Sequence, residues 1–136
     1  KTKAIVAVTL GGLPIDKKLF QIAKQNNIPV VIDAAQSLGV SEQYGDFITY
    51  SFQAIKHYST GDGGMLVVRN IDDYKRGKQL RWFGIDREAK QGGIWENDIW
   101  EIGYKYQMTD ISAAVGLGSL NNFNNTLKHR KKLFYL

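Results

Sequence analysis

The 136-residue chain has no cysteine, which excludes disulfides and thiolate metal sites and fits a reducing cytoplasm. It has no apolar run near the length that spans a bilayer and no signal-peptide pattern at its start, so neither a membrane nor a secretory route is expected. It also lacks internal repeats, low-complexity tracts and linkers, and no metal site is legible. Acidic residues are in the minority, 13 against 18 Lys and Arg, for a net charge of +5. Such a surplus can signal a nucleic-acid partner. Here the bases are scattered except for Lys128-His129-Arg130-Lys131-Lys132, no nucleic-acid module is present, and a basic run at a helix end complements the helix dipole. No nucleic-acid partner is expected.

What is present suffices for one globular core, with 43% hydrophobic and 23% charged residues. Residues 4–10 read as a buried strand closed by Gly11-Gly12. Pro14 then sets a helix start, and Ile15, Leu19, Ile22 and Ala23 form one apolar stripe through about Asn26. Asn26-Asn27 ends that helix, and Val30-Val31-Ile32-Asp33 follows as a buried parallel strand. Strand, helix and strand together predict a right-handed parallel crossover. Further strands are expected over 46–52 and 64–69, and a helix over about 72–81 with Ile71, Tyr74 and Leu80 facing inward. The stretch from Trp82 to about Met108 has no clear period, yet holds Trp82, Phe83, Trp95, Trp100, Tyr104 and Tyr106. So long an irregular segment serves a site or a partner, and its aromatics either pack on the core or form a subunit interface. Thr109 is expected to N-cap a final helix with Ile111, Ala114, Val115 and Leu117 on its buried side.

Between two of those strands lies Lys56. A lysine attacks carbonyl compounds only when it is held in place and partly neutral, so a loop between strand ends suits Schiff-base chemistry. Most of the chain's lysines are solvated, and Lys56 stands out by its company. Asp33 and Gln36 fall just beyond the carboxyl end of a parallel strand, where ligands bind in doubly wound sheets. Asp33 could equally cap the turn or helix that follows. Gly61, Gly63 and Gly64 either allow a close backbone approach to a ligand or make an ordinary tight turn. His57, next to the lysine, is read as structural rather than catalytic.

Asp33-Ala34-Ala35-Gln36-Ser37, Ser51-Phe52 ahead of Lys56, Thr60-Gly61-Asp62-Gly63-Gly64, Leu80-Arg81-Trp82-Phe83-Gly84 and residues 103–111 occur in order and cover nearly the whole chain. Together they resemble the pyridoxal-phosphate sugar aminotransferases of the DegT/StrS family. The resemblance implies an α/β fold, part of the fold-type I large domain, with a mostly parallel sheet and flanking helices. It implies pyridoxal 5'-phosphate as cofactor, Lys56 as the amine that holds it and moves the proton, and Asp33 as the partner of the pyridine nitrogen. Ala35 would let the ring lie flat, Gln36 would donate to the ring hydroxyl, and Ser51 would contact the phosphate. The implied reaction transfers an amino group, with L-glutamate as donor, to a nucleotide-linked 4-keto-6-deoxy sugar in surface-glycan or related biosynthesis. The implied setting is a cytoplasmic homodimer with a shared active site.

Two positions depart from the family pattern. Lys105 stands where many members have the asparagine of Gly-Tyr-Asn-Tyr, which reaches the cofactor phosphate of the neighbouring subunit; a lysine would bind it as a point charge. Phe83-Gly84 stands where many have His-Gly. The family's upstream phosphate loop and C-terminal small domain are not seen, so residues 1–136 are expected to be a partial large domain that is inactive alone. Two rival readings remain: a truncated, non-catalytic relative with a binding or regulatory role, and a sugar dehydratase of the same family, against which Lys56 argues.

Overall fold

The computed structural model describes residues 1–40, 44–91, 99 and 101–136. Trp95 and Trp100 lie outside the described residues. In chain order the elements are β1 (Ile5–Val8), α1 (Lys17–Gln25), β2 (Val30–Asp33), β3 (Phe47–Ser51), β4 (Gly64–Val68), α2 (Ile71–Leu80), α3 (Arg87–Gln91), α4 (Asp110–Asn121) and α5 (Phe123–Phe134). The four strands form one sheet in the order β1-β2-β3-β4. β1 and β2 are parallel with Val8 opposite Asp33, and β2 and β3 are parallel with Asp33 opposite Thr49. This is the α/β fold with a mostly parallel sheet that the sequence predicts. The chain divides into two compact units, one of Lys1–Val67 with Thr109–Leu136 and the other of Val68–Met108.

In the first unit the core is Ala7, Ala23, Val30, Ile32, Ala34 and Ile48, with Ile5, Ile15, Leu19, Phe20 and Tyr50 packed against it. Ile32 is fully buried, which contributes roughly 2 kcal/mol. α1 starts later than Pro14 suggests, because the Asp16 carboxylate accepts from Lys18 N at 2.9 Å and so caps the helix there. It ends at Asn26, and Asn27 takes the left-handed conformation, φ 52°, that asparagine tolerates. Ile22, expected on the buried stripe, is 57% exposed. The helix sits on the sheet through the small Ala23, flanked by Leu19 and Phe20, and the adjacent residue points about 100° away.

Thr109 caps α4 as expected, its Oγ1 accepting from Ser112 N at 3.2 Å. The expected buried side is not buried: Ile111 is 80% exposed, and Ala114, Val115 and Leu117 are exposed too. α4 is apolar around most of its circumference, so its period selects no face. Contact is made instead at Gly116, its one buried residue. The final helix is also two, since α4 stops at Asn122 and α5 begins at Phe123. The basic run of 128–132 lies exposed on α5 with Lys131 and Lys132 in the last turn.

In the second unit, Asn70 caps α2 by accepting from Asp73 N at 2.8 Å. Ile71 and Tyr74, expected inward, are exposed on α2. The stretch after α2 is partly ordered by main-chain pairing: Tyr104 N donates to Leu80 O at 2.7 Å, Phe83 N to Tyr104 O at 3.1 Å and Tyr106 N to Arg81 O at 2.9 Å. The short α3, which the sequence did not suggest, is started by the Asp86 carboxylate accepting from Glu88 N and Ala89 N. Arg76 pairs with Glu101, and that guanidinium holds the Glu101 carboxyl below its ordinary range. No helix among the described residues is long and apolar enough to cross a membrane.

Candidate active site

Because β2 and β3 run parallel, their carboxyl ends lie on the same side of the sheet, with Asp33 closing one and Ser51 the other. The Asp33 main-chain oxygen accepts from Thr9 N at 3.0 Å, and Thr9 Oγ1 lies 3.0 Å from the same oxygen and 2.6 Å from Ser37 Oγ. Thr9 and Ser37 are both buried, so this pair of hydroxyls anchors the turn after β2 to the end of β1. Asp33 Oδ1 accepts from Ala35 N at 3.0 Å, a local turn of the kind aspartate favours. Its second carboxylate oxygen makes no hydrogen bond among the described residues and remains available. The turn-forming and ligand-facing readings of Asp33 are therefore compatible. Gln36 is fixed the same way: its Oε1 accepts from Gly11 N at 2.8 Å, and its amide NH2 makes no hydrogen bond among the described residues.

The lysine loop leaves the sheet through the buried Phe52, whose carbonyl accepts from Thr60 N and from Ser59 Oγ, both at 3.0 Å. Phe52 N donates to Gly63 O at 2.9 Å, closing the loop's base. Inside it, Lys56 N donates to Gln53 O at 2.9 Å. Gly61 and Gly63, at φ 82° and 142°, occupy backbone that other residues rarely adopt, a conformation compatible with either reading of them. Lys56 is half-buried, and its amine has no hydrogen-bond or ion-pair partner among the described residues. His57 has one: its Nε2 lies 2.8 Å from Leu38 O, and its ring stacks on Phe123 of α5 at 5.5 Å. Tyr58 packs edge-on against Phe52, and Ser59 N donates to Ser119 Oγ of α4 at 3.2 Å.

The first unit thus holds Asp33, Ala35, Gln36, Ser51 and Lys56 at one end of one sheet. Lys105 belongs to the second unit, where it is exposed with its Nζ 5.1 Å from the Trp82 ring; Arg87 lies 4.8 Å from the same ring. The second unit also has a cavity of about 660 Å³ lined in part by Tyr74, Lys75, Lys78, Arg81, Trp82 and Gln107, and none of the sequence-predicted site residues lines it. Thr9, Leu38 and Ser119 were not singled out in the sequence. Only Thr9 had a signal, as a hydroxyl at the end of an apolar strand just before Gly11-Gly12. Among the described residues no cluster of acidic and histidine side chains could hold a metal ion.

Solved sugar aminotransferases superpose on this parallel sheet and its flanking helices. A Streptococcus pneumoniae protein assigned as a sugar aminotransferase matches with a TM-score of 0.84 at 32% identity in its PMP form, over 98% of this chain and 41% of that one; it has also been solved in a PLP form. The sugar aminotransferase CalS13 from Micromonospora echinospora gives 0.80 at 30% identity, over 91% and 37%. The DegT/DnrJ/EryC1/StrS aminotransferase family matches residues 1–136, and the chain belongs to it. GDP-perosamine synthase of Escherichia coli O157:H7 is 34% identical over 98% of this chain. The UDP-4-amino-4,6-dideoxy-N-acetyl-beta-L-altrosamine transaminase of Campylobacter jejuni is 31% identical over 96%. The chain spans 37% and 35% of the lengths of these two relatives.

Proposed function

We propose that this protein is a pyridoxal-phosphate-dependent aminotransferase that passes an amino group from L-glutamate to a nucleotide-linked 4-keto-6-deoxy sugar in surface-glycan or related biosynthesis. The observation that carries this is the half-buried, partner-free Lys56 amine on a loop tied to the turn that begins at Asp33. The names of the relatives, GDP-perosamine synthase among them, support a nucleotide sugar as substrate.

The donor set fits the cofactor. Bound there, pyridoxal phosphate supplies an aldehyde carbon and a conjugated ring that takes up an electron pair. Lys56 offers the amine that reacts with that carbon and later moves a proton. The unbonded Asp33 oxygen would face the ring nitrogen and keep its proton in place. Gln36 would donate its amide NH2 to the ring hydroxyl oxygen, and Ser51 its O–H to the phosphate. Ala35, next in the turn, brings no bulk against a flat ring. In this reading the described chain is the central part of a cofactor-binding large domain, and the site is shared across a homodimer into which Lys105 of one subunit reaches as a point charge for the phosphate.

The test is to mix the purified full-length protein with pyridoxal phosphate, reduce with borohydride and locate the label by peptide mass mapping, with Lys56→Ala as control. Near-stoichiometric label on Lys56, abolished in the variant, is expected. Label spread over surface lysines and unchanged by the substitution would overturn the assignment.

A further inference from the structure

We infer that His57 is a positioning residue for Lys56, holding the lysine loop at a set distance from the turn that carries Asp33, Ala35 and Gln36. The inference rests on the reading of Lys56 as the cofactor lysine. Lysine has a long flexible stem, so its amine is only as well placed as its backbone. That backbone is pinned on the near side by the Lys56 N to Gln53 O bond and on the far side by Ser59 N donating to Ser119 Oγ. Both restraints tie the loop to itself or to α4. His57 adds a direct tie to the Asp33 turn, since Leu38 lies two residues beyond Gln36 and its carbonyl is 2.8 Å from His57 Nε2. A carbonyl only accepts, so Nε2 carries the hydrogen, and the neutral ring is the Nε2–H tautomer.

Two further contacts make this tie rigid. The His57 ring lies nearly parallel to that of Phe123, at 26°. Gly39, one residue past Leu38, has φ +88°, and a side chain there would come within 2.8 Å of Leu127 and 3.2 Å of Phe123. The first turns of α5 therefore lie against His57 and against the residue that follows Leu38, and the lysine loop and the Asp33 turn share one support. An imidazole that only filled space would need the stack on Phe123 but not a directed N–H.

The experiment compares wild type, His57→Phe and His57→Gln in the full-length protein. Phenylalanine keeps a ring for the stack and removes the donor; glutamine keeps an N–H donor the same number of bonds from the backbone as His57 Nε2, without the ring. Three readouts are taken: the dissociation constant for pyridoxal phosphate, the rate at which an amine reagent such as trinitrobenzenesulfonate modifies Lys56 in the cofactor-free protein, and the 15N shifts of the His57 ring. Loss of one neutral hydrogen bond predicts cofactor affinity about three- to tenfold weaker in His57→Phe, with an altered Lys56 modification rate, and both recovered to within about threefold in His57→Gln. The 15N spectrum of the neutral ring is expected to place the hydrogen on Nε2. Wild-type behaviour of His57→Phe, failure of His57→Gln to recover, or a hydrogen on Nδ1 each overturns the inference; should His57→Phe not fold, His57→Gln and the tautomer decide it. A wild-type protein that takes no cofactor on Lys56 instead overturns the cofactor reading itself, and the inference with it.

Discussion

Gly116 of α4 lies against Thr60 of the lysine loop so closely that a Cβ at position 116 would stand 2.8 Å from Thr60 Cγ2 and 2.9 Å from the Tyr58 hydroxyl. Thr60 is buried and its hydroxyl donates to Asp62 O at 2.7 Å, so it has little room to move away. Gly116→Val is therefore expected to push α4 off the loop. Replacing a mid-helix glycine returns under about 1 kcal/mol of helix propensity, while overpacking costs about 1–3 kcal/mol. The net effect is a lower urea midpoint of unfolding, together with faster proteolysis within residues 53–63. An unchanged midpoint would mean that the contact is not maintained in solution.

Thr9→Val keeps the shape of a fully buried side chain and deletes the hydroxyl that lies 2.6 Å from Ser37 Oγ and 3.0 Å from the Asp33 carbonyl. Ser37 then loses the bond to Thr9 but keeps its contact with Ala34 O at 3.4 Å, and the loss of one hydrogen bond costs about 0.5–1.5 kcal/mol. Denaturant unfolding measures that loss directly. Because the same hydroxyls anchor the turn after β2, cofactor affinity is expected to fall along with stability. Thr9→Ser, which restores the hydroxyl, is expected to recover most of both.

Those residues show what the sequence discloses and what it conceals. The strands were legible because apolar, β-branched runs such as Val30-Val31-Ile32 favour a sheet, and β1 to β3 fall where expected, although β1, expected to be buried, leaves Val6 and Val8 exposed on one face. That Asp33, Gln36, Ser51 and Lys56 follow the ends of neighbouring strands was legible through ordered motifs. Hidden were the contacts between distant segments: His57 to Leu38, Ser59 to Ser119 and Thr60 to Gly116. Each joins residues that no local period relates, and in the last the informative residue is the one without a side chain. The same blindness explains the misjudged faces. Periodicity says that Ile111 and Val115 share an apolar side with Ala114, but not that α4 touches the loop through Gly116 instead. The break between α4 and α5 did have a sign, the pair Asn121-Asn122, which resembles the Asn26-Asn27 pair that was correctly read as ending α1.

The second unit offers a pH test. Hydrogen bonding from Arg76, reinforced by its charge, lowers the Glu101 carboxyl below its ordinary value near 4.5. A group with a depressed folded-state pKa contributes stability above its unfolded pKa, and that contribution is lost as pH falls through the folded pKa. Thermal unfolding followed from pH 7 downward is thus expected to show a fall in midpoint that sets in below about pH 4.5, part of it removed by Glu101→Gln. The pair is exposed, so added salt shrinks that part. A Glu101→Gln protein with the same acid limb as wild type would show that the pair contributes nothing.

Asp33→Asn separates the two roles that one carboxylate fills. The side-chain oxygen that accepts from Ala35 N at 3.0 Å survives in the amide, so the turn is retained and the unfolding midpoint is expected to change little. What disappears is the negative charge on the second oxygen, which the proposed chemistry needs in order to keep a proton on the cofactor's ring nitrogen. An opposite charge at close range shifts such an equilibrium by about 1–3 pKa units, so turnover should drop about 10- to 1000-fold, while borohydride still labels Lys56 because the amine is untouched. Asp33→Ala, which also loses the turn acceptor, should show the same loss of turnover plus a destabilisation of about 1 kcal/mol. The two variants thus differ in stability and agree in chemistry if Asp33 does both jobs. If Asp33→Asn instead turns over like wild type, the carboxylate is a turn former only, and the proton on the ring nitrogen must be held by some other residue.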